Sequence, residues 1–115
     1  MQYMLLIHGN EANEQAAAPE ATTQVIAAYG ACTQALQAAG VLVGGERLRP
    51  SGDATTLCIT KAKTAVLNRA HAETRKQLAG CYTIAVLDLD ATFAWAARCP
   101  GAAHGAIEVR PVWAM

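Results

Sequence analysis

The 115-residue sequence lacks any hydrophobic run long enough to cross a bilayer. Its apolar stretches, such as Met4 to Ile7 and Val41 to Val43, fall far short of the roughly 20 residues that a spanning helix needs. The first residues also lack the positive flank and cleavage site of a secretory signal peptide. We therefore expect a cytoplasmic protein, folded as a single domain over residues 1–115.

The sequence also lacks an excess of charge of either sign. Nine Lys and Arg residues balance nine Asp and Glu residues, and no basic run occurs. The long-range field that draws a protein to nucleic acid or to an anionic membrane is therefore absent. We expect neither nucleic acid nor a membrane among its partners.

Residues that commonly ligate metals or act as nucleophiles are few and scattered. They are Cys32, Cys58, Cys81, Cys99, His8, His71 and His104. No Cys-x-x-Cys or His-x-x-x-His spacing occurs, so a structural zinc site is not expected, and in a reducing compartment the cysteines should be free thiols. Gly-x-Ser-x-Gly, Walker and Gly-x-Gly-x-x-Gly motifs are absent too, which argues against hydrolase elbows and nucleotide cradles. We expect no metal and no cofactor.

Apolar spacing and turn residues predict an α+β chain. The expected strands span residues 2–8, 41–43, 54–60, 64–67, 81–87 and 106–112, and the expected helices span residues 19–39 and 91–98. Residues 9–18 read as a polar loop, and residues 75–79 as a short helix-capable run that Gly80 ends. This order predicts a ferredoxin-like sandwich with an antiparallel sheet.

The first strand is apolar on both faces. Met4 and Leu6 alternate with Tyr3, Leu5 and Ile7, so each face of the sheet requires cover. Two helices can cover only one face, and a second copy of the chain could cover the other. We therefore expect a homodimer that packs sheet to sheet.

Six segments, taken together and in order, resemble the YCII-related proteins of the DGPF type. They are residues 1–9 (MQYMLLIHG), 54–56 (ATT), 72–75 (AETR), 77–80 (QLAG), 96–100 (AARCP) and 107–112 (IEVRPV). The resemblance covers essentially the whole chain and implies a dimeric α/β-barrel relative of the ferredoxin-like fold. It implies no known reaction, although relatives are often found near alternative sigma-factor systems.

The signature of that family is replaced in this chain. Where the resemblance places Asp-Gly-Pro-Phe, the sequence has Asn68, Arg69, Ala70 and His71. The amide of Asn68 cannot act as a base, unlike an aspartate. The His-Asp pair that more distant relatives suggest as an active site has no evident equivalent at this loop. The Lys-Glu that usually follows Ala-Glu-Thr appears here as Arg75-Lys76, which favours an anionic ligand.

Several residues remain as candidates for a site. They are His71 and His8 as acid/base groups, and Asn68, Glu73, Arg75, Tyr82 and Arg110 as ligand-binding groups. Each also has a purely structural interpretation: His71 as a solvated loop residue, His8 and Tyr82 as packing residues, and Arg110 as the partner of Glu108 in a cross-strand ion pair.

These features predict a homodimer that binds a small metabolite in a cleft near the 68–73 loop, at the dimer interface. An anionic metabolite is one candidate. One alternative is a small cofactor-free enzyme of the proton-transfer or lyase type that uses His71 or His8. A second alternative is a regulatory or protein-interaction module linked to sigma-factor systems. The absence of charge between Glu20 and Glu46 would suit such a surface.

Overall fold

The structure, a computed structural model, describes residues 1–67 and 76–113. Its strands are β1 (Gln2–Gly9), β2 (Leu42–Arg47), β3 (Thr56–Thr60), β4 (Lys63–Leu67), β5 (Gln77–Ala85) and β6 (Ala106–Pro111). Its helices are α1 (Glu11–Ala16), α2 (Pro19–Ala38), α3 (Leu89–Arg98) and α4 (Gly101–His104), with one 3₁₀ turn at Ser51–Asp53. Among these described helices, none combines the length and hydropathy needed to span a membrane.

The main sheet has four strands in the order β2-β5-β1-β6, and every neighbouring pair is antiparallel. Helix α2 connects β1 to β2, and α3 with α4 connects β5 to β6. This order and connectivity are those of a ferredoxin-like α+β fold, as the sequence predicts. The remaining strands, β3 and β4, form a separate two-stranded sheet inserted between β2 and β5.

The hydrophobic core lies between the helices and one face of the sheet. Alternate residues of β1 point into it, and Leu5 is completely buried there. Leu36 of α2 and Ile84 of β5 are also completely buried. The other core residues are Tyr3, Ile7, Cys32, Tyr82, Ala96 and Cys99.

None of the described helices packs on the opposite face of the sheet, which we call the open face. Its residues follow from the register: directly opposed residues in antiparallel strands share a face. One row across the sheet is therefore Glu46, Cys81, Leu6 and Glu108, and the next is Gly44, Thr83, Met4 and Arg110. The open face thus has an apolar centre on β1 and charged residues on the two edge strands.

The molecule is thin for its length. Its extents are 47 × 43 × 18 Å, and the smallest extent fits one sheet and one helix layer. The radius of gyration is 15.9 Å, whereas a compact chain near this length has about 13 Å. The open face and the projecting hairpin account for this shape.

The prediction of a polar loop at residues 9–18 is wrong, because helix α1 occupies most of this segment. Asn10 caps this helix: its side-chain oxygen accepts a hydrogen bond from the backbone N–H of Asn13 at 3.0 Å. Glu11 and Glu14 lie in the first turn, where negative charge is favourable. The cap was visible in the sequence, but the six-residue helix carries no buried side chain and hence no apolar stripe.

The strand expected at residues 41–43 and the helical run expected at residues 75–79 also need correction. Strand β2 continues through the glycine pair to Arg47, and β5 already begins at Gln77. Both glycines concerned serve close approach: a Cβ on Gly45 would lie 2.9 Å from the Tyr82 ring, and one on Gly80 would lie 2.5 Å from the carbonyl oxygen of Glu46. Glycine therefore permits strand pairing at these positions and does not end an element.

Strands β3 and β4 form a hairpin with a tight turn. Lys61 and Ala62 have φ values of 49° and 65°, the positive values that a two-residue type I′ turn requires at both central positions. The strands pair from Thr60 with Lys63 to Thr56 with Leu67.

Candidate functional site

A cleft of about 550 Å³ lies at one end of the main sheet. This volume is within the range of about 300–1,000 Å³ that is typical of small-molecule sites. Among the described residues its lining consists of His8, Leu48, Arg49, Pro50, Ser51, Asp53, Ala54, Lys76, Gln77 and Leu78. Three pieces of the chain thus meet there: the end of β1, the start of β5 and the connection after β2.

A β-bulge shapes the bottom of this cleft. Ile7 pairs with Gly80 while His8 pairs with Leu78, so Ala79 is the extra residue. The backbone carbonyl of Ala79 accepts a hydrogen bond from the N–H of Leu48 at 2.8 Å. Bulges redirect side chains and are frequent beside functional sites. This bulge places His8 and Leu78 side by side and draws the start of the 48–54 connection against β5.

The carboxylate of Glu11 holds the outer wall of the cleft. Its two oxygens accept hydrogen bonds from the backbone N–H of Ser51 at 2.7 Å and from the Ser51 hydroxyl at 2.6 Å. The backbone N–H of Glu11 in turn donates to the side-chain oxygen of Gln77 at 3.0 Å. Helix α1 therefore ties the 3₁₀ turn to the first residue of β5.

His8 is the acid/base candidate that the described structure places in the cleft. Its Nε2 atom is buried and has no hydrogen-bond partner among the described residues. The nearest carboxylate oxygen, Oε1 of Glu108, is 3.6 Å away, beyond normal hydrogen-bonding distance. A buried polar atom without a partner costs about 1–3 kcal/mol, so a bound molecule that supplies one gains that energy.

Arg110 does not line the cleft. It lies on the same face of β6 as Glu108 and forms an ion pair with it. Because Arg110 is 70% exposed, this pair adds little to stability. The Glu108 carboxylate thus lies between the Arg110 guanidinium and the His8 imidazole.

The charges at the mouth of the cleft are mixed. Arg49 and Asp53 form an ion pair of 3.0 Å between Nε and Oδ2, and both are largely exposed. Lys76, at the other side, adds a positive charge to the lining. The apolar part of the lining comprises Leu48, Pro50, Ala54 and Leu78. Such a cleft suits a small organic molecule with an apolar body and a polar or anionic end.

Tyr82, a ligand-binding candidate from the sequence, lies on the helix-covered face of the sheet and is 8% exposed. Its hydroxyl is hydrogen-bonded to the Thr33 hydroxyl at 2.7 Å, which in turn donates to the Tyr29 carbonyl at 2.9 Å. Burial raises the pKa of Tyr82, and the bond to Thr33 partly opposes that rise. The structure thus gives this hydroxyl partners within the core.

Four sequence candidates, Asn68, His71, Glu73 and Arg75, lie outside the described residues. The cleft nevertheless includes Lys76 and Gln77, which directly follow that segment in the chain.

Sequence reasoning missed the 48–54 wall and the role of Glu11. Pro50 and Gly52 indicate a connection between elements, but no local pattern predicts that this connection lines a cleft. The bond from Glu11 to Ser51 joins residues 40 apart, and only the fold brings them together.

Within residues 1–67 and 76–113, no three His, Cys, Asp or Glu side chains are grouped as metal ligands. All four cysteines are free: Cys58 is exposed, Cys81 is half-buried, and Cys32 and Cys99 are buried. The two buried sulfur atoms lie 3.9 Å apart. Burial, and then the neighbouring Cys32, raise the pKa of Cys99 to about 12, so neither metal ligation nor nucleophilic chemistry is favoured there.

A comparison with protein families matches residues 1–115 to the model described as the YCII-related domain. A comparison with curated proteins found no match.

Proposed function

The chain belongs to the YCII-related family, and from that premise we propose that it binds a small metabolite in the cleft at the end of the main sheet. The observation that carries this proposal is the position of His8, which lines a cleft of about 550 Å³ with an apolar wall and whose buried Nε2 atom has no hydrogen-bond partner among the described residues. An apolar pocket with a few convergent polar groups is the usual form of a metabolite site.

The ligand class follows from the lining. Leu48, Pro50 and Leu78 offer an apolar wall, and Lys76 and His8 offer donors. A small organic acid, with its carboxylate towards the donors, fits this arrangement best.

A thermal-shift screen against small carboxylic acids, aldehydes and aromatic metabolites tests the proposal. A ligand at about 100 times its dissociation constant adds roughly 2.7 kcal/mol, which is several degrees in a domain of this size. The shift should be lost in His8→Ala and in Ala54→Leu, which fills the cleft. It should persist in His104→Ala, which changes an exposed histidine outside the cleft lining. A ligand whose shift survives both cleft variants would place its site elsewhere.

Homodimerisation is part of the same proposal. The open face has an apolar centre with charged edges, which is the arrangement of a protein interface. Leu6, at its centre, is apolar and only half-buried in the single chain. Light scattering should give twice the chain mass of 12.0 kDa, and Leu6→Lys should give the monomer. The matched control Gln34→Lys, an exposed position of α2, should remain dimeric.

A second candidate function is acid/base catalysis by His8. The specific observation is the carboxylate of Glu108 at 3.6 Å, since such a neighbour can fix the imidazole in one orientation. Bonds of this kind are often long before substrate binds. Turnover of a bound acid should then fall by about 100-fold or more in His8→Ala. The same assay on His71→Ala tests the histidine outside the described residues.

A further inference from the structure

The hairpin formed by β3 and β4 carries an exposed apolar face. Leu57 pairs directly with Val66, so their side chains share a face, and Ile59 lies two residues along on that face. The three are 59%, 53% and 64% exposed, respectively. The other face of the same hairpin carries Thr56, Cys58, Thr60 and Ala65, which are smaller or more polar.

Nothing in the described part of the chain covers this apolar face. Strands β3 and β4 pair only with each other, and neither packs extensively on another described element. An isolated two-stranded hairpin is marginally stable at best in water. A persistent hairpin of this composition therefore needs a surface to pack on.

The area of the open face points to where that surface lies. Four strands about 4.8 Å apart and six residues long, at about 3.3 Å per residue, cover roughly 400 Å². A stable interface of standard size takes about 800 Å² from each partner. Protruding side chains make the accessible area larger than this flat estimate. The sheet alone still provides less apolar contact area than a stable dimer needs. The apolar face of the hairpin can supply the remaining area. In a two-fold symmetric dimer this contact occurs twice, once for each subunit.

We propose that the hairpin is an arm that packs its Leu57, Ile59 and Val66 face on a second copy of this chain. The inference rests on the sheet-to-sheet dimer proposed above and extends it. Each subunit contacts its partner through its open face and also through its arm. The arm also begins at Thr56, two residues after Ala54 of the cleft wall. Contact with the partner would therefore fix one wall of the cleft.

Sedimentation velocity across a dilution series, with three variants, tests the arm. Ile59→Lys puts a charge on the apolar face, and Cys58→Lys puts the same charge one residue away on the opposite face. Leu6→Lys puts it on the open face. Burying a lysine in an interface core costs enough to raise the dimer dissociation constant at least about tenfold. We expect that rise for Ile59→Lys and not for Cys58→Lys.

The outcomes separate the two proposals. If Leu6→Lys dissociates the dimer while Ile59→Lys behaves like Cys58→Lys, the arm is wrong and the sheet-to-sheet dimer stands. If the unmodified chain is a monomer at every concentration, both are wrong. If Ile59→Lys weakens the dimer and keeps the circular dichroism of the control, the arm is supported.

Hydrogen exchange provides a measurement that needs no variant. Amides of β3 and β4 should exchange slowly in concentrated protein and quickly after dilution below the dimer dissociation constant. The proposal would be contradicted if dilution left exchange at the arm unchanged while the open-face strand β1 lost protection. If the arm instead binds a different protein, the purified chain alone would also show unchanged exchange at the arm, and the proposal would be contradicted.

Discussion

Glu11 is predicted to hold the cleft wall, and this can be tested without knowing the ligand. Its carboxylate accepts two short hydrogen bonds from Ser51, and the group is partly buried. Hydrogen bonds to a charged group contribute about 1.5–3 kcal/mol each in favourable geometry. Since Glu11 is only half-buried, we expect Glu11→Ala to lower the free energy of unfolding by about 2 kcal/mol in total, which is less than the roughly 3–6 kcal/mol of two such bonds in favourable geometry.

Ser51→Ala separates the two bonds. It removes the hydroxyl but keeps the backbone N–H, so it should cost less, about 0.5–1.5 kcal/mol. In the double variant the two losses should not add, and the interaction energy should be about 1 kcal/mol. Glu14→Gln, which changes a carboxylate in the same helix, is the control and should cost less than about 0.5 kcal/mol.

Urea unfolding at one fixed protein concentration measures these values, and hydrogen exchange reads out the wall directly. The Ser51 amide should exchange much faster in Glu11→Ala, while amides in the centre of β5 remain protected. Additive losses in the double variant, or an unchanged Ser51 amide, would refute the claim that this carboxylate fixes the wall.

Three further predictions concern the core and its titrating groups. Leu36→Ala, at a completely buried position, should cost about 2–5 kcal/mol in urea unfolding, because it leaves a cavity beneath the sheet. Burial raises the pKa of Tyr29 to about 12 from 10.0, so stability that is fully present below about pH 10 should fall as the pH rises towards 12. Tyr29→Phe should flatten that part of the pH profile of the urea midpoint. A thiol reagent should modify the exposed Cys58 rapidly, whereas Cys99, whose pKa burial raises to about 12, should react only on unfolding.

Much of the fold could be predicted because the long elements have strong periodic patterns. The spacing of Cys32 and Leu36 marked the buried side of α2, and Ile107 and Val109 marked the inner face of β6. The same helical spacing includes Val25, which is 40% exposed. The buried residues of α2 are Cys32 and Leu36 in its second half, and periodicity alone does not say how much of a helix is covered.

The errors came from short or glycine-containing segments. Gly80 is a reasonable helix stop in sequence terms, yet tertiary pairing with Glu46 places it within β5. Gly45 likewise lies in a strand because the Tyr82 ring occupies the space beside it. Local propensity does not report a neighbour that is 34 or 37 residues away in the sequence, as these two are.

The candidate site was harder to predict, since its parts are distant in sequence. His8 was identified as a candidate from its place at the end of the first strand. Its carboxylate neighbour Glu108 is 100 residues away in the sequence, and the wall residue Ser51 is 43 residues away. The sheet order and the bulge at Ala79 bring them together, and neither is encoded in a local motif.

The described walls of the cleft bear on the part that residues 68–71 play in the proposed site. These walls are held by the Ala79 bulge, by the hydrogen bond from Leu48 to the Ala79 carbonyl, and by the hydrogen bonds from Ser51 to Glu11. None of these contacts uses residues 68–71. Substitutions within that segment should therefore leave these walls in place, and the metabolite site that we propose keeps His8 in its lining whatever residues stand at 68–71.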